Sequence, residues 1–162
     1  MIELLVVIAI IAMLSGIIVA SLGAAKQSSR DAKRIADIKN IQISLALYYN
    51  DNLKYPQSLT IAAFLPYLPI LPKDPLPSQS YVYAALAPGS GGLGNCNAAN
   101  KYHLGAILEQ AGNAALSEDA DRVKDSGSYT GCLGYASDFE GASLDCGTSV
   151  SSPDLCYDMV AN

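Results

Sequence analysis

The sequence predicts an α+β fold: a long N-terminal α-helical stalk, apolar in its first half, whose second half packs against a small antiparallel β-sheet head. Three observations predict it. Residues 1–25 are almost unbroken apolar sequence with a single charge, Glu3. Residues 26–52 contain neither Gly nor Pro and carry apolar residues at helical spacing. The prolines, the strand-like segments and all four cysteines come only after that. Four segments follow: a hydrophobic transmembrane or filament-core helix at 1–25, its amphipathic continuation at 26–53, a Pro-rich connector at 54–80, and at 81–162 a small disulfide-containing β head with acidic C-terminal loops.

At about 1.5 Å of rise per residue the first segment reaches roughly 35 Å, enough to cross a bilayer core of about 30 Å. Membrane insertion at some stage is therefore expected. The filament-core side chains would be Ile2, Leu4, Leu5, Val6, Val7, Ile8, Ile10, Ile11 and Leu14. A carboxylate within such a segment costs several kcal/mol unless it reaches the interface or meets a counter-charge. Glu3 is close enough to the start for headgroup water to solvate it; the sharper reading is a counter-charge supplied by another subunit, with Glu3 setting assembly register. A removable secretory signal fits poorly, because such a leader is basic and its apolar core spans about 7–15 residues.

In the second segment Ile35, Ile38, Ile41, Leu45 and Tyr48 recur at spacings of three and four, an amphipathic stripe. Joined to the first segment it gives a helix of about 50 residues, roughly 75 Å long. Asn50-Asp-Asn52 and Pro56 end it. Seven of the eight prolines lie between Pro56 and Pro88, so the connector is mostly non-helical, with room for one turn at residues 61–65. Ser80-Tyr-Val-Tyr-Ala-Ala-Leu-Ala87 and Lys101-Tyr-His-Leu-Gly-Ala-Ile-Leu108 read as strands, and residues 131–139 as a weaker third. So few strands cannot stand alone in water and must pack on the apolar stripe of the helix.

Charge is uneven. Residues 1–102 carry net +3 and residues 103–162 net −8, for a total of −5. Lys26, Arg30, Lys33, Arg34 and Lys39 follow the apolar segment directly; taken literally, the positive-inside rule would place them in the cytoplasm. The cysteines point the other way. Cys96, Cys132, Cys146 and Cys156 form no Cys-x-x-Cys and accompany a single His, so disulfides in an oxidising compartment are expected rather than a metal site. Of the three possible connectivities, Cys146 with Cys156 closes a short loop and Cys96 with Cys132 joins the two sides of the middle segment.

No enzyme is expected, and no catalytic residue. Gly89-Ser-Gly-Gly-Leu-Gly94 matches G-x-G-x-x-G, but the turn-like Asn95-Cys-Asn-Ala-Ala-Asn100 opens no helix after it. His103 lies mid-strand without a nameable partner and reads as structural. No cofactor is expected. Glu118, Asp119, Asp121 and Glu140, with Asp138 and Asp145 as the metal candidates, could offer oxygens to Ca2+, yet they lack EF-hand spacing and read more simply as solvated loops. An acidic head without a basic stripe carries no intrinsic signal for nucleic acid.

Ile2-Glu-Leu-Leu-Val-Val-Ile-Ala-Ile-Ile11 closely resembles the N-terminal methylation segment of type IV pilins and of the pseudopilins of type II secretion. Beyond residue 30 the resemblance continues in Tyr48-Tyr-Asn-Asp-Asn-Leu-Lys-Tyr-Pro56 and Pro72-Lys-Asp-Pro75, similar to the helix end and connector of the major pseudopilin group. It implies a pilin-like fold and a non-enzymatic subunit that is an inner-membrane precursor before joining an extracellular helical filament of identical subunits. It also implies a prepilin peptidase and a pilus assembly machinery as partners, and a glutamate at Glu3 that attracts the N-terminal amine of a neighbour. Some pseudopilins bind Ca2+ through C-terminal acidic loops.

The family carries two further mature residues and a leader before the position of Met1, which implies a mature N-terminus upstream of the sequence given. Ala20 stands where many relatives carry a mid-stalk proline, leaving Gly16 and Gly23 as the positions where the helix could melt in a filament. The alternatives are a pseudopilin of a type II secretion piston and a membrane-anchored extracytoplasmic binding domain that never polymerises.

Overall fold

An unbroken α-helix, α1 (Ile2–Asn52), carries a four-stranded antiparallel sheet on its C-terminal half. The computed structural model describes residues 2–89, 96–124, 129–132, 138–147, 149 and 152–161, with the side chains of residues 17–21 set aside. The sheet comprises β1 (Val82–Pro88), β2 (Lys101–Ile107), β3 (Tyr129–Gly131) and β4 (Cys156–Val160), in the order β3-β1-β2-β4. The fold is thus α+β, as expected.

The stripe on α1 does what its spacing requires. Ile38, Ile41, Leu45 and Tyr48 are buried and Ile35 is half-buried; together they face Tyr83, Ala85, Tyr102, Leu104 and Ala106 across the layer. Strand alternation supplies the partners, since every second residue of β1 and β2 points at the helix. The connector closes the far end. Phe64 is fully buried with its ring 5.8 Å from that of Tyr48, and Tyr67 stacks edge-on against Tyr48 at 5.3 Å. The turn expected at residues 61–65 consists of isolated hydrogen bonds, Phe64 N–H to Ile61 and Tyr67 N–H to Phe64. With proline at 66 and 69, no regular helix propagates from it.

At the end of α1 the Asn52 amide caps the Tyr48 carbonyl, and Leu53 N–H bonds Tyr49 with φ at 55°, a left-handed C-terminal cap built on a residue other than glycine.

Two sequence expectations about strands are revised. The weak third strand expected at residues 131–139 meets the observed β3 only at Gly131; residues 133–137 of it lie outside the described residues, and residues 138–139 are not in a strand. β4 was not foreseen: Cys-Tyr-Asp-Met-Val pairs with β2, placing Asp158 opposite Gly105 and Met159 opposite Leu104. Residues 90–94 of the glycine motif also lie outside the described residues; a single 3-10 turn, Cys96–Ala98, follows them.

Among the described residues no helical stretch is long and apolar enough to cross a membrane. The span expected at 1–25 takes in Met1 and residues 17–21, whose side chains lie outside that description.

Candidate functional site: the stalk surface and the polar joints of the head

Residues 2–16 of α1 are exposed along their whole length. Ile2, Leu4, Leu5, Met13 and their apolar neighbours through Leu14 stand outward, with Ile2 78% and Met13 77% exposed. The expected core positions Val6, Val7, Ile8, Ile10 and Ile11 are each more than half exposed or close to it, at 50–57%. Glu3 lies in the first turn of this helix. α1 is continuous through Gly16 and Gly23, and neither glycine has a neighbour within 4 Å of where a Cβ would stand. The first contact with the head comes at Ala24, whose carbonyl accepts from the Gln110 side chain at 3.5 Å.

Just above that contact the basic run reads differently from a solvated face. Arg34 is completely buried on α1, and its guanidinium fork donates to Asp31 at 2.8 Å, to Glu109 at 2.8 Å, to both Asp74 oxygens at 2.7 and 2.9 Å, and to Gln79. Burial opposes its charge, but the hydrogen bonds it donates to Asp74, Glu109 and Asp31 outweigh that and raise its pKa. Arg30 grips the other side of Glu109 through two bonds. The Arg30 bonds and then Arg34 hold the Glu109 carboxyl down to about 2 against the opposing effect of burial. Asp31 completes the joint by accepting the backbone N–H groups of Glu109 and Gln110. Lys33 pairs with Asp37, which also accepts from the Tyr81 hydroxyl. The joint therefore binds helix, connector and the end of β2 at one point. Arg30, Lys33 and Arg34 serve the head, which removes them as simple membrane-flanking charges.

A second polar joint lies on the opposite face of the sheet. His103 is fully buried on β2, with Nδ1 2.7 Å from Asp138 and Nε2 2.6 Å from Asp158. A neutral imidazole has one N–H and the imidazolium two, so the imidazolium is the form that donates to both carboxylates. Burial works against that charge, and the bonds to Asp138 and Asp158 overcome it, raising the pKa of His103. Phe139 stacks on the ring at 3.6 Å, nearly parallel. Gly105 makes this possible: a Cβ there would meet the Phe139 ring at 2.9 Å. Asp158 also accepts the N–H groups of Ala120, Asp121 and Arg122, and Arg122 reaches Asp138 at 3.2 Å. The C-terminal loops thus meet at His103, beside a small apolar cluster that comprises, among the described residues, Phe139, Cys146 and Cys156 with Val82 and Ile107 packed against it.

The metal candidates come out differently. Asp138 is engaged by His103 and Arg122, and Asp145 is exposed. Neither is brought to a shared site among the described residues. Instead Asp119, Asp121 and Asp154 bring one oxygen each within 4.8 Å of one another. Burial, then the charge of Asp158 and then those of Asp121 and Asp154 push Asp119 up to about 7, and its Oδ1 is buried without a hydrogen-bond partner. Carboxylates so arranged are oxygen donors suited to a hard cation, though three fall short of the six to eight oxygens Ca2+ takes.

Of the two expected disulfides, Cys146–Cys156 is formed. Cys96 and Cys132 are two buried thiols in contact rather than a bond.

The chain matches no family model, no curated protein and no solved structure.

Proposed function

We propose that the chain is a structural subunit that polymerises through α1 into an extracellular, type IV pilus-like helical filament, after a period as an inner-membrane precursor. The observation that carries this reading is a 51-residue helix whose residues 2–16 present large apolar side chains outward, exposed rather than packed on the head. Moving each such side chain out of water is worth about 1.5–3 kcal/mol, so this surface requires lipid or other copies of itself. Between lipid and a bundle of stalks the hydrophobic gain nearly vanishes, and close packing and polar pairing choose the bundle. Glu3 supplies that pairing: unmatched among apolar helices it is costly, and opposite an amine of the neighbouring stalk it fixes one axial register. In the packed filament, Gly16 and Gly23, each about 1 kcal/mol poorer than Ala in a helix, mark where the stalk would lengthen. The two polar joints suit a head that must ride rigidly on its stalk.

The experiment is electron microscopy of material sheared from cell surfaces, with the subunit identified by peptide mass, in wild type and in Glu3→Ala. Wild-type cells should yield helical filaments containing this chain. Glu3→Ala should remain in the membrane fraction and yield no filaments; normal filament yield from that variant would remove the register role. Absence of the wild-type chain from the sheared fraction would refute the filament itself.

A further inference from the structure

We propose that Cys96 and Cys132 close a second disulfide, which ties the edge strand β3 to the 3-10 turn before β2. Three independent observations carry it. The first is placement: Cys132 directly follows β3, whose Gly131 pairs with Leu86, and the turn that begins at Cys96 packs on the same strand, β1. The second is environment: both sulfurs are buried in one hydrophobic cluster with Tyr83, Ala85 and Ala87, and the two thiols are in hydrogen-bonding contact. The third is redox history: Cys146–Cys156 is already a disulfide, so the fold is one that matures under oxidising conditions.

Other uses of the pair are excluded by its surroundings. A metal needs further ligands, and His103 is held by Asp138 and Asp158 while the only metal-competent group among the described residues is carboxylate. A nucleophile needs a thiolate, and burial together with Cys96 pushes the Cys132 thiol well up. What remains is oxidation by exchange with a low-molecular-weight disulfide such as oxidised glutathione. One cysteine thiolate attacks a glutathione sulfur, forming a mixed disulfide and expelling a glutathione thiolate. The second cysteine thiolate then attacks the protein sulfur of that mixed disulfide, forming the Cys96–Cys132 bond and expelling a second glutathione. The two cysteines lose two electrons, the oxidant gains them, and both protons pass to the released thiolates. Because the folded pair is buried and poorly ionised, the exchange belongs to the folding stage, before the head closes.

The bond matters because, among the described residues, β3 meets β1 at three positions and forms the edge of the sheet. Linking residue 132 to residue 96 holds that edge in register when the strand is too short to do so alone.

The test is oxidative refolding of the full chain in detergent with reduced and oxidised glutathione, followed by acid denaturation, alkylation and peptide mass mapping. The expected result is a cross-linked pair of peptides containing Cys96 and Cys132, with no alkyl group on either. Single variants Cys96→Ser and Cys132→Ser should each expose one alkylatable thiol, on the remaining partner. Alkylation of both Cys96 and Cys132 in the refolded wild-type chain would overturn the proposal, as would a map that pairs either of them with Cys146 or Cys156.

Discussion

Replacing His103 by Gln tests whether a buried imidazolium fastens the C-terminal loops. The ring is fully buried, and its removal leaves Asp138 and Asp158, themselves at 1% and 0% exposure, without the charge between them. Arg122 still reaches Asp138, and three backbone N–H groups still reach Asp158, so the carboxylates are not stripped of partners. A glutamine amide donates from one nitrogen and can replace only one of the two lost bonds. Breaking a buried ion pair by removing one partner costs about 3–5 kcal/mol, and the residual donors place this case near 3. At about 2–4 °C per kcal/mol for a chain of this length, Tm should fall by roughly 6–12 °C at pH 7.

The pH dependence separates charge from packing. His103 has its pKa raised in the fold, so the native state holds a proton that the unfolded chain releases above about 6.5. Its stabilisation is full below that value and is lost as pH rises through the folded pKa, with a slope of up to about 1.4 kcal/mol per pH unit. Asp119, raised to about 7, contributes in the same sense in both proteins, so the difference between wild type and His103→Gln isolates the imidazolium. Urea unfolding of the full chain in detergent, followed by circular dichroism from about pH 6.5 upward, should show stability falling more steeply with pH in wild type than in His103→Gln. Parallel profiles would refute the imidazolium.

Arg34→Leu should destabilise the head by about 3–5 kcal/mol, because Asp31 and Asp74 remain buried and charged without their counter-ion; the urea midpoint measures it, and a loss below about 1 kcal/mol would mean that the joint is dispensable. Leu53→Gly should stabilise by about 1 kcal/mol, since the side chain is 78% exposed and its φ of 55° is one glycine adopts freely; an unchanged or lowered Tm would contradict it. Asp119→Asn should raise stability by at least about 1 kcal/mol more at pH 8 than at pH 5. The sign follows from the raised pKa: the unfolded carboxyl ionises above 3.8 while the folded one keeps its proton to about 7, so wild-type stability falls between those values and is level above them. Thermal melts at the two pH values check it, and equal shifts at both would remove ionisation of the buried carboxyl as the cause.

Much of the architecture was legible because it depends on local pattern. The stripe from Ile35 to Tyr48 declared a helix face, and four of its five members are buried. The two strand segments matched β1 and β2 to within one or two residues at their ends, since aromatic and branched residues between turn clusters leave little else to form. β4 was missed because Cys-Tyr-Asp-Met-Val is short and places an aspartate at its centre, which weakens the strand pattern. That aspartate is there because it is hydrogen-bonded across the sheet to His103.

What the sequence by itself determined are the features that follow from periodicity and composition: a long N-terminal helix apolar in its first half, a proline-punctuated connector, and a small β head. Only the tertiary structure decided which charges meet. Arg34 finds Asp74 and Glu109 at separations of 40 and 75 residues, and His103 finds Asp138 and Asp158 at 35 and 55. No local pattern encodes those distances along the chain. Arg30, Lys33 and Arg34 of the basic run became part of a joint between helix and head, and the histidine without a nameable partner gained two. Burial makes such charges costly unless they are matched, and matching is a property of the folded arrangement.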